Sequence, residues 1–117
     1  MQRPLAASNY AASLKDLSRF EEVKSVLRKT MPVARRVLGD GHDITLRMRG
    51  CYGETLYTDN GATLDDLREA VTTLEEIERI ARRVLGGAHP LTVDIEGDLQ
   101  GARAVLRARE RLASPSA

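Results

Sequence analysis

The chain has 117 residues and a formal net charge of +1, which is enough for one domain with a modest core. Charged residues make up 30% and are nearly balanced in sign, so the composition argues against a basic nucleic-acid-binding or membrane-binding surface. Aromatic residues make up only 3% and Trp is absent, so an aliphatic core is expected, which suits packed helices better than a β-sandwich or barrel.

The first part of the chain predicts a helical hairpin over about residues 5–38. A first helix is expected over about 5–17 and a second over about 20–38, where apolar residues recur at the helical spacing of three and four. Pro32 lies inside the second helix and is expected to kink it, because proline removes a backbone donor. Gly39 follows the last apolar position and predicts a left-handed C-cap.

The next part predicts a second hairpin over about residues 43–85. Its third helix is expected over about 43–58 and its fourth over about 64–85, separated by a strong Asp-Asn-Gly breaker. Thr63 and Asp66 have the spacing of a capping box, which predicts the start of the fourth helix.

A final helix is predicted over about residues 90–112, followed by a tail at 113–117 that is expected to fray. Pro90 suits the first turn of this helix, because its missing N–H would have no helical acceptor there. The helix carries an apolar stripe, which comprises Ile95, Leu99, Ala102 and Leu106.

The same phrase occurs twice in the chain. Ala-Arg-Arg-Val-Leu-Gly stands at 34–39 and again at 81–86, each time followed by a histidine, His42 or His89. Recurrence of this length is typical of repeat proteins, in which each supersecondary unit stacks on the next. The sequence therefore predicts an all-α fold over residues 1–117, a single stack of antiparallel helical hairpins with about five helices.

These phrases resemble the tetratricopeptide repeat, specifically the type found in kinesin light chains. Residues 9–14 are similar to the family's Asn-Leu-Ala-x-x-Leu signature, with Tyr10 at a packing position of the family. Residues 35–42 and 82–89 are similar to its Arg-x-Val-Leu-Gly-x-x-His phrase. The resemblance spans about residues 6–106 and implies an α-solenoid that acts as a non-enzymatic adaptor or scaffold.

In the repeats that the chain resembles, the first helix of each hairpin lines a concave groove that holds a partner peptide or helix. Carried over, this resemblance implies groove positions at Ser8, Asn9, Ala12, Lys15, Arg47, Gly50, Cys51, Glu54, Tyr57, Asp94, Asp98 and Gly101. Asn9 matches the family's ligand-clamping asparagine, since an amide both donates and accepts hydrogen bonds. Cys51 stands where a second asparagine is expected. The alternative is that these residues are merely the solvated sides of helices.

No motif predicts catalysis, a cofactor or a metal site. His42 and His89 lie in corresponding loops without a carboxylate or thiol at ligand spacing, so no metal site is predicted there. The resemblance to the tetratricopeptide repeat implies that both are loop-packing or capping residues. Cys51 lacks an assignable basic partner, which a nucleophilic thiol would need. We therefore expect a protein that is not an enzyme and binds no cofactor.

The expected partner is a protein or peptide, with no nucleic acid and no membrane. Arg103, Arg107, Arg109 and Arg111 give the last helix a basic face, which indicates either an acidic partner or an exposed helix end. With Cys51 as the single cysteine and no apolar run of signal-peptide or membrane-spanning length, a cytoplasmic location is expected.

A structural role is the alternative function. Two hairpins and one helix are at or below the roughly three repeats that such arrays need for stability. The chain is therefore expected to be a fragment of a longer array, to form a homo-oligomer, or to dock into a larger assembly through its terminal helices. The apolar stripes over 5–14 and 95–106 favour this alternative, because no other part of the chain is predicted to cover both.

Overall fold

The computed structural model describes residues 4–16 and 19–113, with the side chains of residues 13–16 left out. The described part forms five α-helices and no strand, which confirms the predicted all-α class. Their bounds are α1 Pro4–Asp16, α2 Phe20–Val37, α3 Asp43–Thr58, α4 Leu64–Val84 and α5 Pro90–Ala113. Among these described helices, none is both long and apolar enough to cross a membrane.

Contacts between side chains define the directions of the helices. Arg103 in α5 pairs with Glu75 in α4 at 2.8 Å, and Glu96 pairs with Arg82 at 3.2 Å, so these two helices run antiparallel. Contacts of α3 with α2 and with α4 follow the same reversed order. In contrast, α3 and α5 run parallel.

The central element is α3, which contacts all four other helices. Its large apolar side chains Leu46, Met48 and Leu56 are buried against them. Within the described part of the chain, α2 and α4 make no contact with each other, and α1 and α5 make none either. Because α3 separates these pairs, the molecule has an opening on each side of this helix.

The two copies of the repeated phrase end in equivalent turns. Gly39 has a φ of +94° and Gly86 a φ of +93°, so both adopt the left-handed conformation that glycine permits. The N–H of Gly39 donates to the Arg35 carbonyl at 3.1 Å, and that of Gly86 donates to the Arg82 carbonyl at 3.2 Å. Both glycines therefore form left-handed C-caps, as predicted for Gly39.

The histidines after these glycines cap the next helix. Nδ1 of His42 accepts a hydrogen bond from the Ile44 N–H at 3.1 Å, and Nδ1 of His89 accepts one from the Leu91 N–H at 3.1 Å. These bonds satisfy N–H groups that have no acceptor within the helix. The predicted capping role of both histidines is confirmed, and so is the capping box of Thr63 and Asp66.

Replacing Gly86 by Ala is expected to lower the free energy of unfolding by about 1–2 kcal/mol, because a side chain disfavours the left-handed conformation. An added Cβ would have no atom within 4 Å, so the effect arises from the backbone alone. Urea unfolding followed by circular dichroism measures the loss. Gly86→Asn should lose less, since asparagine tolerates this conformation better. Equal losses for the two variants would contradict this explanation.

Two packing predictions are wrong. Ile95 and Leu99 of the α5 stripe are only 1% and 6% exposed, because α5 packs them against α3 and α4. The chain therefore covers most of this stripe itself. Tyr10 was expected to pack inside the hairpin, but it is 47% exposed. The large apolar side chains that do remain exposed on α5 are Val93 and Leu112.

Candidate functional site

A groove of about 240 Å³ lies where α1, α3 and α5 meet, on one side of α3. Each of these three helices contributes side chains from one face. The groove is lined by Ser8, Asn9, Ala12, Arg47, Gly50, Cys51, Glu54, Leu91, Asp94, Ile95 and Asp98.

Most of the residues that were carried over from the resemblance line this groove. Tyr57 is not part of the lining, but its hydroxyl donates to Oδ1 of Asp98 at 2.9 Å. Gly101 lies against the same ring, since a Cβ added there would be 3.0 Å from the Tyr57 hydroxyl. The side chain of Lys15 lies outside the described residues. The groove therefore brings together Asn9 with six of its predicted neighbours on α3 and α5, not counting the flanking Tyr57.

Two apolar lining residues, Leu91 and Ile95, were not predicted for the groove. Both lie on α5 at helical spacing from Asp94 and Asp98, so they share a face with these carboxylates. This spacing in the sequence could have placed Leu91 and Ile95 beside the carboxylates. The apolar periodicity, however, predicts Ile95 only as part of the apolar stripe of α5. The groove thus combines polar side chains with an apolar base.

Because α3 and α5 run parallel, groove residues that come later in α3 lie beside residues that come later in α5. A Cβ added to Gly50 would be 3.7 Å from Cγ1 of Ile95, which is ordinary van der Waals distance. Two turns further along α3, Tyr57 contacts Asp98. The backbone of α3 can therefore approach α5 closely at Gly50, and no side chain fills the groove at this point.

The groove has opposite charges along its length. Arg47 is 60% exposed, with its Nε 3.9 Å from Oδ2 of Asp43. Glu54 lies two helical turns later, about 10 Å along α3. Asp94 and Asp98 line the α5 side, so the side chains that the structure describes give the groove three carboxylates and one guanidinium. The described part of the groove is therefore acidic, and its guanidinium lies towards the start of α3.

Burial and the neighbouring Asp98 carboxylate both raise the pKa of Tyr57 above its usual value. The phenol consequently stays protonated at neutral pH and remains a hydrogen-bond donor to Asp98. This bond holds the Asp98 carboxylate in one orientation at the edge of the groove. Less side-chain entropy is therefore lost when a partner binds there.

In the described part of the chain, no group of three or more His, Cys, Asp and Glu side chains could hold a metal ion. Cys51 is half-buried in the groove wall.

The predicted basic face of α5 is partly used within the fold. Arg103 pairs with Glu75 of α4, as described above. Arg109 donates from Nη1 to the carbonyl of Ala62 at 2.7 Å. These two arginines therefore hold α5 against the start and middle of α4, and the face is less available to an acidic partner than the sequence suggested.

No protein-family model matches this chain, and no curated protein and no solved structure matches it either.

Proposed function

We propose that the chain is a tetratricopeptide-like stack, of the type that kinesin light chains contain, and that its groove binds a segment of a partner protein. The observation that carries this proposal is the common lining of Asn9, Arg47, Glu54 and Asp98, which come from three different helices. These are residues that the resemblance implies for a partner-binding groove, and their common lining supports the proposal. The protein then acts as an adaptor or scaffold without chemical turnover.

The charges of the groove define the partner segment that fits it. A lysine or arginine of the segment would pair with Glu54, Asp94 or Asp98, and an acidic residue further along would meet Arg47. Leu91 offers apolar contact between these charges, whereas Ile95 forms the buried base of the groove and is only 1% exposed. Because rigid helices hold the groove, little ordering is required on this side, and an affinity on the order of micromolar is expected.

Alanine substitutions at Asn9 and Arg47 are expected to weaken peptide capture at least about tenfold each, because each removes a hydrogen bond or ion pair with the segment. The measurement is fluorescence anisotropy with a peptide selected from a displayed random library. Arg36→Ala, an exposed arginine on α2, is the matched control and should bind as the unaltered chain does.

Charge exchange makes the test specific. Asp94→Lys should weaken binding of a selected peptide whose lysine or arginine pairs with Asp94. The same variant should bind more tightly to a peptide in which that lysine or arginine is replaced by glutamate. If the Asn9, Arg47 and Asp94 variants all bind the selected peptide unchanged, the groove is not the binding site and the proposal fails.

Self-association is a second candidate, favoured by apolar side chains that are exposed on both terminal helices. Leu5 on α1 is 56% exposed and Val93 on α5 is 53% exposed. Contact between such faces of two copies would remove this surface from water. Light scattering over a wide concentration range tests this role: a dimer that Leu5→Asp or Val93→Asp dissociates would support it, and a monomer throughout would exclude it.

A further inference from the structure

A second opening lies on the other side of α3, between α2 and α4, which do not touch each other. This cleft has a volume of about 420 Å³, within the range of roughly 300–1,000 Å³ that is common for small-molecule sites. It is lined by Arg28, Met31, Pro32, Arg35, Arg49, Tyr52, Glu69 and Thr73. Its lining has three guanidinium groups and one carboxylate, and two of these guanidinium groups pair with carboxylates outside the lining, Arg35 with Asp40 and Arg49 with Glu76.

A network of hydrogen bonds holds the polar side chains of the cleft. Tyr52, which is only 5% exposed, accepts from Nε of Arg28 at 3.3 Å and donates to Oε2 of Glu69 at 2.9 Å. These bonds link α2, α3 and α4. The proton of the Tyr52 hydroxyl is therefore already donated, whereas the Nη groups of Arg28 make no hydrogen bond to another described residue.

The deepest cation of the cleft is Arg49, whose side chain is 7% exposed. Its Nη2 donates to Oε2 of Glu76 at 2.8 Å. Its Nη1 is also buried but has no hydrogen-bond partner among the described residues. An unpaired N–H of a buried guanidinium is costly, since the group has lost water without gaining an acceptor.

We propose that this cleft binds a small molecule that carries a carboxylate on an apolar body. One carboxylate oxygen accepts from Nη1 of Arg49, after a small adjustment of the cleft walls. The other oxygen accepts from an Nη group of Arg28, since Arg35 already pairs with Asp40. The apolar body packs on Met31 and Pro32, which line the same cleft.

A carboxylate suits these donors better than a phosphate. The planar guanidinium groups match two coplanar oxygens, and Arg35 and Arg49 already pair with carboxylates, so little positive charge is left to balance a doubly charged phosphate. A phosphate brings a second charge close to the Glu69 carboxylate, which already lines the cleft. Its additional oxygens would also need donors, and the Tyr52 hydroxyl is committed to Glu69.

The test is a titration of the nitrogen-labelled chain with benzoate, followed by amide NMR. Benzoate should cause saturable shifts in α2 and α4, with a dissociation constant on the order of 1 mM, as is typical of so small a ligand. Benzamide, which has the same shape without the charge, should cause none at equal concentration. Inorganic phosphate should bind more weakly than benzoate.

Variants of the cleft locate the site. Arg49→Met and Arg28→Gln should each weaken benzoate binding at least about tenfold. Arg49→Lys, which retains the charge but lacks the planar donor pair, should also weaken it. Arg111→Gln, at the exposed end of α5, is the control and should bind unchanged. Because Arg28 is exposed, its variant should fold even if those of Arg49 do not.

Several results would overturn the proposal. Absence of saturable shifts in the unaltered chain excludes the site. Equal binding of benzamide means that only an apolar surface is present. Tighter binding of phosphate than of benzoate contradicts the assigned class of ligand, and unchanged binding by the Arg28 and Arg49 variants places any bound benzoate elsewhere.

Discussion

Leu99→Asp is expected to destabilise the native fold severely. Leu99 is 6% exposed and belongs to the core cluster that α5 completes against α3 and α4. The substitution removes apolar contacts and buries a carboxylate without a partner, which costs more than about 4 kcal/mol. A domain of this size has a total stability of about 5–15 kcal/mol. Helicity by circular dichroism and the urea midpoint should therefore both fall sharply.

The control for this loss is Val93→Asp, on the same helix but 53% exposed. A surface substitution of this kind is expected to change the free energy of unfolding by no more than about 0.5 kcal/mol. If Leu99→Asp retained the helicity and midpoint of the unaltered chain, the described packing of α5 would be wrong. The exposed position also serves the assembly test, because Val93→Asp can disrupt an interface without unfolding the chain.

Gly53 and Leu74 are expected to show strong coupling. A Cβ added to Gly53 would be 2.8 Å from Cγ of Leu74, which is fully buried. Gly53→Ala gains up to about 1 kcal/mol of helix propensity, but overpacking in a core costs about 1–3 kcal/mol, so a net loss of stability is expected. Leu74→Ala should lose about 2–5 kcal/mol by leaving a cavity.

In the double variant, the methyl group introduced by Gly53→Ala occupies part of the space that the shortened side chain at position 74 leaves. The combined loss should therefore be smaller than the two single losses together, with a coupling free energy of about 1–2 kcal/mol in urea unfolding. Gly97→Ala in α5 is the control, because a Cβ there has no atom within 4 Å. It should stabilise the chain by up to about 1 kcal/mol. Strictly additive losses would contradict the close approach of α3 and α4 at Gly53.

Features that depend on neighbouring residues could be predicted from the sequence. Gly39 ends α2 because its own φ permits the turn, and Thr63 begins α4 because its hydroxyl reaches the N–H of Asp66. Both effects act within a few residues, so the local pattern contains the necessary information. The helical class follows in the same way from apolar periodicity.

Features that depend on distant helices were harder to predict. The stripe of Ile95 and Leu99 is visible in the sequence, but what covers it depends on how α5 packs on α3 and α4. The carboxylates of the groove were expected from the resemblance to the tetratricopeptide repeat, which implies groove positions on the first helix of each hairpin. Periodicity alone would have treated them as solvated side chains.

The cleft between α2 and α4 was missed for a related reason. Arg49 and Tyr52 carry polar groups at buried positions. The periodicity of apolar residues in the sequence does not predict that these two residues line the same cleft. Their proximity to Arg28 arises because α3 holds the two flanking helices apart. No repeated phrase marks these residues, so only the assembled fold brings them together.

The contact pattern around α3 also has a consequence for folding kinetics. Within the described chain, every pair of packed helices is either consecutive or separated by one helix. Such contacts close short loops, so little chain entropy is lost before they form, and helical proteins of this kind fold in microseconds to milliseconds. A nucleus can start from α2 with α3 or from α3 with α4. Growth then proceeds towards both ends, and α3 is the segment that both routes share.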